Sequence, residues 1–156
     1  MQSIIRIATA GGVLALVLAA WGIAGAAAAQ SYDLTFSGDA SFHGAHGGQP
    51  IHVAVVETDG DRVVALASGT VSKSDDPAFS FDFPGALMAG KSYEVDYWID
   101  SNFGGGSTGT CDAKGHDHQW RVALGTVSGN LDHTEMHRPA ETTDVCDVFR
   151  RTDQSN

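Results

Sequence analysis

Residues 91–99 read Lys-Ser-Tyr-Glu-Val-Asp-Tyr-Trp-Ile, and this stretch decides the fold class. The odd-numbered positions from Tyr93 to Ile99 are apolar, whereas Glu94 and Asp96 lie between them. Alternation with a period of two is typical of a strand that buries one face. The stretch therefore predicts a strand in a sheet that covers a hydrophobic core.

The same alternation returns along the rest of the chain, and no helical stripe accompanies it. It predicts further strands at residues 32–36, 51–57, 62–67, 79–83, 119–124, 127–131 and 145–149. Residues 70–74 either extend the third of these strands or form a separate one, and Pro84-Gly85 is expected to end the fourth. Short strands at this spacing predict an all-β fold, an antiparallel β-sandwich of seven to eight strands.

The amino-terminal segment has the composition of a secretory signal peptide. Arg6 precedes an uninterrupted apolar run at residues 7–20, and four alanines, residues 26–29, come directly before Gln30. A basic start, an apolar middle and small residues at the end are the three parts of such a peptide. The alternative is an uncleaved anchor, because the apolar stretch is nearly long enough to span a bilayer.

We predict cleavage, and this sets the domain organisation. Residues 1–29 are assigned to the signal peptide, 30–149 to the β-sandwich domain and 150–156 to a flexible tail. The mature protein is then expected in the periplasm or outside the cell, with no stable membrane insertion after cleavage.

The charge balance excludes one class of partner. The 156 residues contain 19 acidic and nine basic side chains. A chain without a surplus of lysine and arginine cannot gain affinity by displacing counterions from phosphates, so we expect no nucleic-acid partner.

The two cysteines, Cys111 and Cys146, both lie in the mature region. An even number of cysteines in an exported chain predicts a disulfide. A metal-thiolate site is the weaker alternative, because no C-x-x-C spacing is present.

Part of the sequence is similar to known sandwich domains. Residues 87–95, LMAGKSYEV, followed by Asp100-Ser-Asn102, resemble segments of transthyretin-like and carboxypeptidase-regulatory-like domains, in which a glycine turn leads into a strand and an acidic loop. Residues 46–49, 93–97 and 117–121 together resemble a group of small exported bacterial β-sandwich proteins. The resemblance implies the sandwich fold and carries over no activity and no catalytic residues.

Seven histidines occur in the mature region, mostly in pairs: His43 with His46, His116 with His118, and His133 with His137. Imidazole nitrogen suits Cu²⁺ and Zn²⁺, which need three or four ligands. The predicted ligands are His46, His116, His118 and His133. The structural alternative is that His118 closes the end of the core and that the histidines in glycine- or proline-flanked loops, His43, His46 and His137, are exposed.

A second kind of metal site is conceivable in the loop after residue 99. Asp100, Asn102 and Asp112 offer oxygen ligands of the kind that bind Ca²⁺. The EF-hand spacing fails, however, because Cys111 occupies the twelfth position of the loop. The structural alternative is a turn in which these side chains bond their own backbone.

No catalytic motif supports an enzyme. The sequence contains no H-E-x-x-H. Residues 85–92 match the P-loop pattern and residues 105–109 match G-x-S-x-G, but neither match lies between a predicted strand and a predicted helix, which both motifs require. The leading hypothesis is therefore a non-enzymatic exported module that binds copper or zinc through loop histidines. The alternatives are a cell-envelope structural or interaction domain that contacts a protein partner without metal, and a calcium-binding sandwich.

Overall fold

The structure, a computed structural model, describes residues 29–153, so the predicted signal peptide lies almost entirely outside the described residues. This part of the chain forms seven strands and two α-helices. They are β1 (Ser31–Gly38), α1 (His43–His46), β2 (Pro50–Glu57), β3 (Arg62–Thr70), β4 (Phe79–Met88), β5 (Ser92–Ile99), β6 (His118–Thr126), β7 (Leu131–Glu135) and α2 (Cys146–Asp153). None of the helices in this range is long and apolar enough to cross a membrane.

The strands form two sheets. One has three strands in the order β4-β1-β7 and the other has four in the order β3-β2-β5-β6. The predicted all-β fold, with seven to eight strands in a two-sheet sandwich, is confirmed. One pair departs from the antiparallel expectation: β7 runs parallel to β1, with Leu34 opposite Leu131. Alternation within one strand does not specify the direction of its neighbour, so sequence alone could not reveal this pair.

The main core lies between the inner faces of the two sheets. Tyr93, Val95, Tyr97 and Ile99 of β5 are all buried in it, as their alternation predicts. The other face of β5 carries Asp96, which is also buried, and two nitrogens of the Arg121 guanidinium donate to its two carboxylate oxygens at 2.7 Å each. This bidentate pair satisfies a charge that would otherwise be costly to bury.

The expected end of a strand at Pro84-Gly85 is wrong. β4 continues to Met88, and its register with β1 shifts between Tyr32 and Leu34. Gly85 has φ +64°, a conformation that glycine adopts without the steric cost of a side chain. The Pro-Gly pair therefore marks an irregularity inside the strand and does not terminate it.

The predicted strand at residues 145–149 is also wrong, because this segment lies at the start of α2. Val145, Val148 and Phe149 are spaced by three and four residues, which brings them to one side of a helix. Val148 packs on Ala54 and Val56 of β2. The flexible tail predicted from residue 150 begins inside α2, and residues 154–156 lie outside the described range.

The predicted disulfide is confirmed. Cys111 and Cys146 are bonded, with their Cα atoms 5.4 Å apart. The bridge joins the long loop between β5 and β6 to the first residue of α2. It packs in a small apolar cluster with Trp98 and Val145.

Candidate metal centre

Three histidine side chains from distant parts of the sequence meet at one end of the sandwich. The Nε2 atom of His46 lies 3.1 Å from Nε2 of His137 and 3.0 Å from Nδ1 of His118. One ring nitrogen from each of the three histidines lies within 4.8 Å of those of the other two, and among the described residues these histidines form a group that could hold a metal ion. We refer to His46, His118 and His137 as the histidine triad.

Each member of the triad is placed by a different element. His46 is the last residue of α1, His118 is the first residue of β6, and His137 follows β7 by two residues. The last of these segments is tied to the turn before α1, because the backbone N–H of His137 donates to Ser41 Oγ at 2.8 Å. The two ends of this contact are 96 residues apart in sequence.

The ring of His46 is oriented by a side chain outside the triad. Its Nδ1 lies 2.7 Å from Gln49 Oε1, an amide oxygen that can only accept, so Nδ1 carries the proton and donates. Ser101 Oγ lies further away, 3.3 Å from the same nitrogen. With the proton on Nδ1, the lone pair of Nε2 faces the other two histidines. This is the arrangement found in metal-ligating histidines, whose second ring nitrogen donates to a neighbouring acceptor.

Burial keeps the triad uncharged. Removal from water lowers the pKa of His46 to about 4, although its bond to Gln49 acts in the opposite direction. Burial likewise lowers the pKa of His118 and that of His137. The three imidazoles are therefore neutral at neutral pH, and a neutral imidazole is the form that binds a metal.

The short distances within the triad place two ring nitrogens in competition for one hydrogen-bond acceptor. Nε2 of His46 has a single lone pair, which can fully accept one N–H, yet two ring nitrogens lie within 3.1 Å of it. A cation between the three nitrogens would bind all three lone pairs and resolve this conflict.

Aromatic rings enclose much of the triad. The Trp120 ring lies 5.5 to 6.0 Å, between ring centroids, from all three imidazoles. Phe42 contacts His46 and His137, and the Phe103 ring lies 4.9 Å from His118. Phe103 is nevertheless 40% exposed, so it covers the side of the centre that faces water.

Two of the four predicted ligands, His46 and His118, belong to the triad, and the other two lie elsewhere. His116 Nδ1 lies 2.9 Å from the carbonyl oxygen of Phe103. His133 Nε2 lies 2.5 Å from a carboxylate oxygen of Glu135, and the ring stacks on Phe36. Neither is in the metal-competent group found among the described residues.

The third member of the triad, His137, is not among the four predicted ligands, and only the structural alternative places it in an exposed loop. It is half-buried because the chain leaving β7 crosses the end of the core beside α1. The prediction that His116 and His118 share a metal was based on their spacing of two residues. Both would point the same way in a continuous strand, but β6 begins only at His118.

The acidic residues considered for calcium hold the backbone of their own loop. Asp100 accepts the N–H of Gly109 at 2.7 Å, and Asp112 accepts that of Ser107. Asn102 donates its amide to Asp100. These contacts match the structural alternative, in which short polar side chains bond nearby backbone groups. Neither Asp100 nor Asp112 belongs to a metal-competent group of histidine, cysteine or carboxylate side chains among the described residues.

Another carboxylate, that of Asp117, is more central to this loop. Asp117 is fully buried and accepts the backbone N–H groups of Ser101, Asn102 and Asp112 at 2.9 to 3.1 Å. It precedes His118 in sequence and so anchors the start of β6. The run of polar residues gives no sign that this one carboxylate would be buried.

Comparison with known proteins adds little to this description. No family model and no curated protein matches the sequence. A fimbrial assembly protein from Parabacteroides distasonis is similar in structure over 69% of this chain, with a TM-score of 0.39 and 13% sequence identity. This chain covers 52% of that protein, about half its length. The similarity is too low to carry an argument about function, and the transthyretin-like resemblance stays a prediction.

Proposed function

We propose that this protein is an exported metal-binding module that holds copper or zinc through His46, His118 and His137. The observation that carries the proposal is the convergence of one ring nitrogen from each of three histidines that burial keeps neutral. Copper and zinc are the metals for which imidazole is a preferred ligand.

The nitrogen spacing supports an ion of this size. Nitrogens bound to zinc at about 2.0–2.1 Å in tetrahedral directions are about 3.3 Å apart. The two distances from His46 Nε2, 3.0 and 3.1 Å, are close to this separation. The nitrogens of His118 and His137 lie within 4.8 Å of each other, and binding would draw these two half-buried side chains together.

The compartment forms part of the same proposal. A disulfide joins Cys111 to Cys146, and disulfides persist in oxidising compartments such as the periplasm and the extracellular space. Together with the predicted signal peptide, this favours export. Copper and zinc ions in such a compartment would reach the half-exposed side of the triad directly.

The decisive experiment measures metal affinity of the purified, metal-free protein by competition with chelators. We expect one equivalent of Cu²⁺ or Zn²⁺ to bind. His137→Ala should weaken binding by at least about 100-fold, because loss of an outer-shell partner alone costs about 10- to 100-fold.

Matched controls come from the histidines outside the triad. His116→Ala removes an imidazole only two residues from His118, and His133→Ala removes one four residues from His137. Both should leave the affinity unchanged. Absence of measurable copper and zinc binding in the wild-type protein, or an equal loss in these controls, would refute the proposal.

A second candidate function, an envelope interaction domain, is favoured by the position of β3, which in the described part of the chain is an edge strand of the four-stranded sheet. β3 stands at the end of the strand order, and its Leu66 is 51% exposed. An exposed edge offers backbone groups to which a partner strand can pair. A photo-crosslinking residue at position 66 should then give a discrete adduct with an envelope protein, whereas the same residue at exposed Asp59 should give none.

A further inference from the structure

We infer that the histidine triad selects monovalent copper, Cu⁺, over Cu²⁺ and Zn²⁺. This inference rests on the proposed function and refines it, since it names the oxidation state of the ion. Three features of the centre carry it: the charge of the ligands, the surrounding rings and the number of ligands.

The ligand set offers no negative charge to the ion. All three members are neutral imidazoles, and no carboxylate belongs to the metal-competent group of the described residues. The nearest carboxylate in sequence, that of Asp117, is directed to three backbone N–H groups. Both cysteines are in the disulfide, so no thiolate is available. A bound divalent ion would keep its full two charges.

The surroundings make that charge costly. His46, Phe42 and Trp120 are buried, and the rings of Phe42 and Trp120 stand beside the triad where water or a carboxylate would otherwise lie. The desolvation free energy of an ion moved from water into such surroundings grows with the square of its charge. It is therefore about four times larger for a divalent ion than for a monovalent one. Apolar surroundings of this kind are also known to control the redox potential of a metal site.

The number of ligands points the same way. Zinc is usually four-coordinate, and Cu²⁺ favours tetragonal sites with four or more ligands. The triad supplies three, and the open side is partly covered by the ring of Phe103, which lies 4.9 Å from His118 and 6.0 Å from His46. Cu⁺ is fully coordinated by three neutral nitrogens without added water. Of the three ions, it therefore loses the least binding free energy from the small number of ligands at this centre.

The test compares three dissociation constants for the full mature protein. Cu⁺ is titrated anaerobically against a Cu⁺-specific chelator with ascorbate present, and Cu²⁺ and Zn²⁺ are titrated against chelators matched to each. We expect Cu⁺ to bind at least about tenfold more tightly than either divalent ion. Quenching of tryptophan fluorescence, expected from the proximity of Trp120, provides a second readout of loading.

One variant tests the role of the apolar cover. Phe103→Ala opens the exposed side to water and should reduce the preference for Cu⁺ over Cu²⁺ by about tenfold. Leu66→Ala, which removes another exposed apolar side chain on β3, should leave the preference unchanged.

The outcomes separate this inference from the proposed function. Tighter binding of Cu²⁺ or Zn²⁺ through the triad would overturn the inference and leave the metal-binding function in place. An unchanged preference in Phe103→Ala would also overturn it. If the protein bound none of the three ions, both the inference and the proposed function would fail.

Discussion

The candidate metal centre depends on His46, because one of its ring nitrogens orients the ring and the other faces the remaining two histidines. Nδ1 bonds to Gln49, 2.7 Å away, and Nε2 faces the other two histidines. The bond to Gln49 fixes which nitrogen carries the proton. A side chain three residues away in sequence thereby determines whether a lone pair is available to an ion.

The role of Gln49 gives the first prediction. Gln49→Leu removes the acceptor and allows the proton to move to Nε2, so metal affinity should fall by about 10- to 100-fold. Gln49→Glu keeps an acceptor at the same place and should retain most of the affinity. Chelator competition on the two variants checks this, and equal affinity of Gln49→Leu and wild type would contradict it.

The buried position of His46 also predicts how acid affects the metal-free protein. Its pKa is about 4 in the folded state, against an ordinary value of 6.5. Between these values the unfolded chain binds the proton and the folded one does not. Stability should therefore fall as pH decreases from about 6.5 to about 4, by up to about 3 kcal/mol from this residue.

Urea unfolding at several pH values, with a chelator present, measures this effect. The comparison is with His46→Gln, which cannot titrate in this range and should show a shallower dependence. His116→Ala should keep the wild-type slope. If wild type and His46→Gln lost stability in parallel, the buried histidine would not be the cause.

At the scale of elements, the disulfide and α2 form one unit. Cys146 is the first residue of α2, and Phe149, one turn later, packs edge-on against Trp98 of β5. Gln119 of β6 adds a polar connection, since its side-chain oxygen accepts the backbone N–H of Val145 at 2.9 Å. The helix is thus attached to the outer face of the four-stranded sheet by covalent, apolar and polar contacts together.

Replacing both cysteines by serine tests how much of this attachment is covalent. The bridge closes a separation of 35 residues, and its loss should lower the free energy of unfolding by about 3–4 kcal/mol in the chain-entropy model. Urea unfolding of oxidised wild type and the double variant measures the difference. A difference below about 0.5 kcal/mol would show that the apolar and polar contacts suffice without the bridge.

At the scale of the whole molecule, the triad connects three regions that strand pairing alone leaves separate. His46 precedes β2, His118 begins β6 in the same sheet, and His137 follows β7 of the opposite sheet. An ion bound to all three would cross-link the two sheets at one end. Metal binding and global stability should therefore be coupled.

This coupling is the fourth prediction. Because the unfolded chain does not preform the centre, metal at about 100 times its dissociation constant should raise the free energy of unfolding by about 2.7 kcal/mol. Thermal unfolding with and without metal measures the shift. His137→Ala should show almost none at the same metal concentration, and an equal shift in both proteins would mean that the ion binds elsewhere.

The sequence by itself determined the fold class and the disulfide. The period-two alternation in β5 and its neighbours predicts which side chains face the core. Two cysteines can form a disulfide within the chain in only one way. It did not determine the helix at residues 146–153, although Val145, Val148 and Phe149 carry its spacing, because a short apolar run fits a strand and a helix equally well.

Only the tertiary structure decided the membership of the histidine triad. His46 and His118 were predicted ligands, but His137 replaces His116 and His133 because the direction of a loop side chain depends on contacts across the molecule. The bond from the His137 backbone to Ser41 spans 96 residues. Local periodicity carries no information over such a separation in sequence. The packing of one sheet on the other determines where His137 lies relative to His46 and His118.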